Sequence, residues 1–554
     1  MSQVETSSDH LPHTFGLRSG ISIGWLTLNV FGGMSFILFV GLSAGGIPAI
    51  LYGFIGSSIC VLCIILTFAQ CAARYSTAGG AYHYATFLIP EKYRRQCAYP
   101  LGWLNYCGWV LTHAACCAIV ATLTLALVNL CRPEFAVTTR WQLFLVYLAM
   151  VFGCWLINLF GLRGIPTLEL VGCWATVFVF VAYTIALLVK APKATPHSVF
   201  VQTNNDTGYS STGFAILLGL FNSFSTLMGL DCPTHLAEEV KNPKKVIPRI
   251  LLIVIISQFF VGVVYILVLG FSISDLPTII ASPTGVPILE LIRLGTGSDA
   301  AAIVFCIILI INQGASALGS AVTMSRQGYA FARDGGLFWN HKLTELSPRT
   351  QLPVWSINVP SALVALVGLI YLFSNAAFNA IIGSQAVCMI ISFGCPALIM
   401  LLTKNSTLPE SKSWKFGRFS TPIYVVSSLY SLLVVIVALI PQVHPVTTLT
   451  MNYTSLIMGV FGIAMTVAWF SEGRRLFSPP TYHEIGLTVV DGSSFSEGQD
   501  EETGEKRGGQ VKVGDGQQFV SEAMTYIIMI ERRTRGSSVS IGPASQFGER
   551  RQRV

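Results

Sequence analysis

Twelve stretches of about twenty or more mostly apolar residues follow one another along this chain. A helix needs about 20 such residues to cross the hydrocarbon of a bilayer, and only helices and closed barrels satisfy every backbone polar group there. The stretches lie near 20–44, 47–71, 98–130, 141–160, 166–189, 213–239, 247–271, 299–323, 353–373, 376–402, 421–441 and 453–471. They predict an all-α polytopic membrane protein with twelve transmembrane helices. Composition agrees: 53% of residues are hydrophobic and only 11% charged, where a soluble protein carries about 25%. Too few charges remain to cover a water-facing surface, which argues against a soluble enzyme and against a disordered or fibrous chain. The net charge of +7 implies no nucleic-acid partner, because the basic residues sit in short clusters between apolar runs.

Orientation follows from the basic residues between spans. With the N-terminus inside, 18 Lys/Arg fall in inner segments and 5 in outer ones. Both termini are therefore expected in the cytoplasm. The polar start lacks the basic, apolar and cleavage regions of a removable leader. The expected organisation is a cytoplasmic tail over 1–18, a transmembrane domain over 19–471 and a cytoplasmic tail over 472–554. The last region holds 11 Lys/Arg and 12 Asp/Glu among many Gly and Ser, a composition that favours disorder. Its apolar stretch Met524 to Ile530 is too short to span. The sequon Asn205-Asp206-Thr207 falls in an expected outer loop. Cysteines such as Cys60 and Cys63 lie inside apolar runs, where a thiol acts as a small packing residue.

Breaks inside spans point to a site, because broken helix is tolerated only where it faces a cavity or other protein. The first span carries Asn29, Phe31, Gly32, Gly33 and Met34 around a glycine pair at mid-depth. The sixth carries Ser225, Thr226, Leu227 and Gly229, then Asp231 and Pro233. Glycine can also serve only to let helices approach. The two breaks, however, lie five spans apart, as an inverted five-plus-five repeat predicts. A half-helix N-terminus offers free N–H groups to a carboxylate, and a half-helix C-terminus offers carbonyls to an ammonium. The ligand implied is a small amine, zwitterionic or quaternary. Phe31, Phe36, Phe224 and Trp103 are candidate aromatic faces for its cationic head.

The run GLDCPTHLAEEVKNPKKVIP, from Gly229 to Pro248, resembles the sixth-span signature of the amino acid/polyamine/organocation (APC) superfamily. TAGGAYHY (Thr77 to Tyr84), INLFGLRGIP (Ile157 to Pro166) and SRQGYAFARDGGL (Ser325 to Leu337) match in order. The chain is most similar to the fungal amino acid/choline transporter group, which includes GABA and choline permeases. This resemblance implies a LeuT-type fold, two helices added to the repeat, alternating access and substrate contacts at Phe31 to Met34 and Ser225 to Gly229. Relatives often carry Ser or Gly at the position of Phe31, so the bulky ring departs from the pattern.

A charge at mid-bilayer costs about 2.5–3.5 kcal/mol on insertion scales, so each one needs a reason. Asp231 reads as a proton carrier or gate, or as a helix cap. Glu169 reads as a coupling residue, or as a first-turn acid facing the dipole of its helix. His113 reads as a titrating group or a hydrogen-bonded one. His235, Glu238 and Glu239 with Lys241, Lys244 and Lys245 suggest an ion-pair cluster or gate at the inner mouth, where Arg74 and Tyr82 could assist. Ser316, Ser320 and Thr323 offer hydroxyls to sodium, but a proton is the preferred coupling ion. No nucleophile–base pair, metal set or P-loop is evident, so neither an enzyme nor a cofactor is expected. The expected function is import of amino acids or small amines such as choline or GABA by proton symport. A transporter-like nutrient receptor is the alternative, and the plasma membrane is preferred over the vacuolar one.

Overall fold

The computed structural model describes residues 14–134, 140–161, 163–273, 275–282, 284–348, 352–404, 408–409, 414–448, 450–481, 487–490 and 494–497. The stretch from Met524 to Ile530 lies outside them. Among the described residues, ten helices are long and apolar enough to cross a membrane: Leu17–Leu38, Gly46–Ala72, Glu91–Cys131, Arg140–Phe160, Ile165–Lys190, Pro243–Ser272, Asp299–Arg333, Gly383–Leu402, Gly417–Leu439 and Thr454–Leu476. The two other positions expected to span carry shorter apolar helices, Thr212–Ser225 with 14 residues and Val354–Gly368 with 15. The protein is a polytopic, helical membrane protein. Two short strands, Leu487–Val490 and Ser494–Glu497, pair antiparallel after the last helix.

Burial sorts these helices into centre and rim. The Leu17–Leu38 span is 78% buried within the protein, whereas Ile165–Lys190 is 17% and Thr454–Leu476 is 11% buried. The rim helices expose large apolar side chains such as Trp174, Phe178, Ile463 and Phe470. In water such a surface would aggregate, and against lipid it is the favoured one. The central Leu17–Leu28 helix packs on Ile165–Lys190, Pro243–Ser272 and Asp299–Arg333. Its continuation, Val30–Ser43, packs on Gly46–Ala72, Thr212–Ser225 and Pro243–Ser272.

The end of the bundle where Asp299–Arg333 finishes is closed by polar contacts. Arg326 is buried, and its Nε donates to Glu239 Oε1 at 2.8 Å while Nη1 donates to Asn158 Oδ1 at 3.1 Å. Glu239 Oε2 accepts from Thr14 Oγ1 at 2.7 Å, and its main-chain carbonyl accepts from Phe15 N at 3.1 Å. Glu238 accepts from both terminal nitrogens of Arg333 and from Ala78 N. The two glutamates thus meet arginines far along the chain, a pairing that local sequence does not reveal. Arg74 reaches the Pro409 carbonyl at 2.6 Å.

TAGGAYHY enters the short helix Gly80–Leu88. Tyr82 and His83 of that helix both donate to Asp334 Oδ2, and Thr77 Oγ1 donates to His83 Nδ1. A neutral ring completes this set. Burial, with Arg333 and His235 adding to it, holds the His83 imidazole well below the usual histidine range. The nearby Asp334 carboxylate favours the charged form, but the Thr77 proton already occupies the second ring nitrogen.

Breaking a buried ion pair by removing one partner costs about 3–5 kcal/mol, whereas replacing both by apolar groups is often neutral. Glu239→Ala is therefore expected to destabilise the detergent-purified protein strongly in thermal unfolding. The double change Glu239→Leu with Arg326→Met should recover most of the loss. Equal losses in the single and double variants would show that the pair is not what holds this end together.

Candidate substrate site

The first interruption falls at Asn29. Helix Leu17–Leu28 ends there and Val30–Ser43 begins, with Asn29 in the left-handed region at φ 47° and ψ 55°. Asparagine tolerates that region because its short side chain can bond the local backbone. Asn29 serves both helices: its N–H donates to Trp25 O at 3.1 Å, and its Oδ1 accepts from Gly32 N at 3.1 Å. Gly32 and Gly33, where the sequence suggested the break, lie in the first turn of the second helix. Their small size is needed for close approach. A Cβ at Gly32 would run into the Asn312 and Asn29 side chains, while one at Gly33 would only touch Thr226, at 3.6 Å.

The second interruption runs from Thr226 to Asp231, between Thr212–Ser225 and the short turn Cys232–His235. Gly229 stands at φ 80°, a conformation that a side chain would strain. The two interrupted segments face each other antiparallel. Gly24 abuts Pro233, Gly229 abuts the Thr27 carbonyl, and Gly33 abuts Thr226.

Between them lies a cavity of about 90 Å³, where a water needs only about 10–15 Å³. Of the residues expected to hold substrate, Asn29, Gly33, Ser225 and Thr226 line it. Phe31 does not: its ring packs among Phe180, Tyr265 and Phe305. Gly32 faces Asn312, Met34 and Leu227 are buried in the core, and Gly229 faces Thr27. Phe36 is the one candidate aromatic face on the cavity; Phe224 packs on Tyr430, and Trp103 on Tyr99 and Phe331. Sequence reasoning missed the wall from Glu91–Cys131 (Thr112, Cys116) and the glutamines Gln313 and Gln385. An amide in an otherwise apolar run was the available signal for the two glutamines.

The ionisable candidates sit beside the cavity without lining it. Asp231 and His235 form one unit: His235 Nε2 lies 3.0 Å from Asp231 Oδ2, and both side chains are fully buried. His235 Nδ1 faces the Ala78 carbonyl at 2.7 Å and must donate to it. Trp109 Nε1 donates to Nε2 at 3.2 Å, and Asn105 Nδ2 donates to Asp231 Oδ2 at 3.3 Å. Nε2 offers a single lone pair or a single proton, so Trp109 and Asp231 meet at the same ring nitrogen. Asp231 caps nothing with its side chain, although it precedes the turn Cys232–His235.

Glu169 is fully buried, and neither of its oxygens has a partner. It lies beyond the first turn of Ile165–Lys190, so it is no first-turn acid. Its Oε1 and Thr27 Oγ1 both face Gly319. His113 Nδ1 pairs with Ser320 Oγ at 3.1 Å. Among the described residues, His113, Cys117 and Cys154 are the one metal-capable group, and the 3.7 Å between Cys117 Sγ and His113 Nε2 is an ordinary S–H···N contact. Thr323 is engaged with Gly319 O and Cys232, while Ser316 lines the cavity.

The family model described as amino acid permease matches residues 19–463. The chain belongs to the amino acid permease family. The permease is 30% identical to a choline transporter of Saccharomyces cerevisiae, over 84% of this chain and 83% of that protein. It is 27% identical to a putative amino acid/polyamine transporter of Macrophomina phaseolina, over 76% of this chain and 94% of that protein. It is also 27% identical to a polyamine transporter of Saccharomyces cerevisiae, over 82% and 75%. It is an APC-type secondary transporter of small polar or charged solutes and not an enzyme.

The two glycines of this permease are expected to differ sharply. Gly32→Ala forces the Asn29 cap and Asn312 apart, and overpacking of that kind costs about 1–3 kcal/mol. Gly33→Ala makes an ordinary contact and should stay within about 0.5 kcal/mol of the parent. Thermal unfolding of the two purified variants checks this, and equal stability would place the tight approach elsewhere.

Proposed function

We propose that this permease imports amino acids or small amines such as choline or GABA by proton symport with alternating access. The reading places it in the fungal amino acid/choline group. It counts Thr212–Ser225 with its continuation and Val354–Gly368 as spans, making twelve. Ten of these form a LeuT-type inverted repeat with two helices added. The observation that carries it is the cavity between two antiparallel interrupted helices, where main-chain ends and small polar side chains meet. Antiparallel facing of the first and sixth segments is what an inverted repeat produces.

Proton coupling rests on chemistry beside that cavity. The buried Asp231–His235 contact, with Nδ1 held by the Ala78 carbonyl, is read here as the place where a transported proton would be taken up. Glu169, buried without a partner beside Thr27, is a second group able to hold a proton or meet an incoming cation. Both flank the moving parts, since Asp231 ends the second interruption and Thr27 precedes the first. A change in their protonation would alter which packing of the broken helices is favoured. In this reading the protein sits in the plasma membrane. Segments 1–18 and 472–554 lie in the cytoplasm, and the Arg326–Glu239 contact closes the inner side.

The test is uptake of labelled choline, GABA and neutral amino acids in cells lacking their own permeases, at acidic and neutral external pH, with and without sodium. Uptake should rise with external acidity and ignore sodium. Asp231→Asn and Glu169→Gln should each lower it by about tenfold or more, the equivalent of about 1.4 kcal/mol in the barrier. Wild-type uptake that ignores both ion gradients would remove symport from the mechanism. Normal pH-dependent uptake by Asp231→Asn would remove that carboxyl.

A further inference from the structure

The walls of the cavity are uncharged. Among the described residues lining it, the thiol of Cys116 is the one ionisable side chain. Asp231 and Glu169 stand outside it. The charge of a bound solute is therefore met by helix ends and neutral polar groups alone. A helix end supplies about half an elementary charge, enough to favour one cationic centre. A polyamine brings several, and each buried charge without a partner costs several kcal/mol.

The polar groups also have a direction. Three of the five hydroxyls that line it have given their protons to their own helices: Thr112 Oγ1 to Gly108 O at 2.7 Å, Ser225 Oγ to Phe221 O at 2.8 Å and Thr226 Oγ1 to Ser223 O at 2.8 Å. These three can meet a solute only as acceptors. Asn29 Nδ2 is used by Gln313 Oε1. Because Asn29 Oδ1 must accept from Gly32 N, that pairing fixes the Asn29 amide and hence the Gln313 amide. The Nε2 of Gln313 is left as a donor on the cavity, and the whole amide of Gln385 is open to it; among the described residues neither has a protein partner.

We infer that the cavity selects solutes of at most one net positive charge bearing a hydroxyl, carbonyl or carboxylate group, that Gln313 and Gln385 read that group, and that polyamines are refused. The inference rests on the proposed reading of this cavity as the substrate site. The acceptor side, made of the Thr112, Ser225 and Thr226 hydroxyl oxygens, takes the amine head, and Phe36 offers it an aromatic face. The two glutamine donors take the acceptor at the other end of the solute.

Binding to the full-length purified protein tests this apart from transport. The probes are choline, GABA, alanine and spermidine, read by ligand-induced thermal stabilisation and by titration. At least one of the first three should bind, and spermidine should not at the same concentration. Gln385→Met and Gln313→Met should each weaken the bound probe about fivefold to tenfold, the worth of one hydrogen bond near 1 kcal/mol. Gln385→Glu should gain spermidine binding. Spermidine binding to the parent protein as tightly as the best of the others would overturn the inference, and that measurement needs no variant. So would failure of choline, GABA and alanine all to bind, or wild-type affinity in both methionine variants. Binding without uptake would instead sink the transport reading and leave the selectivity standing.

Discussion

A backbone amide or carbonyl in lipid needs a partner inside the protein, and this requirement organises the molecule around its centre. Two helices stop partway through the bundle, at Asn29 and over Thr226 to Asp231. Such stops are tolerable only because each is shielded by the other and by the helices around them. Asn29 makes the first one economical by capping both helices with a single residue. The second is longer and depends on Gly229, whose backbone few other residues could adopt. The close contacts from Gly24 to Pro233, Thr27 to Gly229 and Gly33 to Thr226 hold the pair in register. The cavity is the space left where neither helix continues.

Charge is kept at a distance from that space. Asp231 contacts His235, Glu169 and Thr27 both face Gly319, and Arg326 pairs with Glu239 at one end of the bundle. A carboxylate on the cavity wall would bind a cationic solute tightly and release it slowly. A neutral wall with helix ends and amides would bind more weakly, which under the proposed reading of the cavity suits release of the cargo. In the proposed mechanism, ionisable groups that do not line the cavity influence the packing of the broken helices without holding the solute themselves. Asp334 adds a further tie, because it fastens the Gly80–Leu88 helix to the end of Asp299–Arg333 through Tyr82 and His83.

The segments that border the cavity were legible in the sequence, but the residues that line it were legible only in part. Of the nine residues expected to contact substrate, Asn29, Gly33, Ser225 and Thr226 line the cavity, whereas Phe31 turns into a ring cluster with Phe180, Tyr265 and Phe305. Neighbouring residues on a helix point about 100° apart, so a short motif cannot all face one way. Gln313 and Gln385 went unremarked because their helices carry no break, and only packing brings them to the interruption.

Hydropathy alone determined that this chain is a helical membrane protein, since burial of apolar runs in lipid depends on composition and length and hardly on partners. The positions of two breaks were also local matters, set by Asn, Gly and Pro chemistry within a few residues. Which glutamate meets which arginine, which face of each helix lines the cavity and where a lone carboxyl is stranded were decided by tertiary packing. Those outcomes depend on contacts between residues far apart in the chain, such as Glu239 with Arg326 and Asn29 with Gln313. No local pattern encodes such a contact, because its energy exists only once the helices have met.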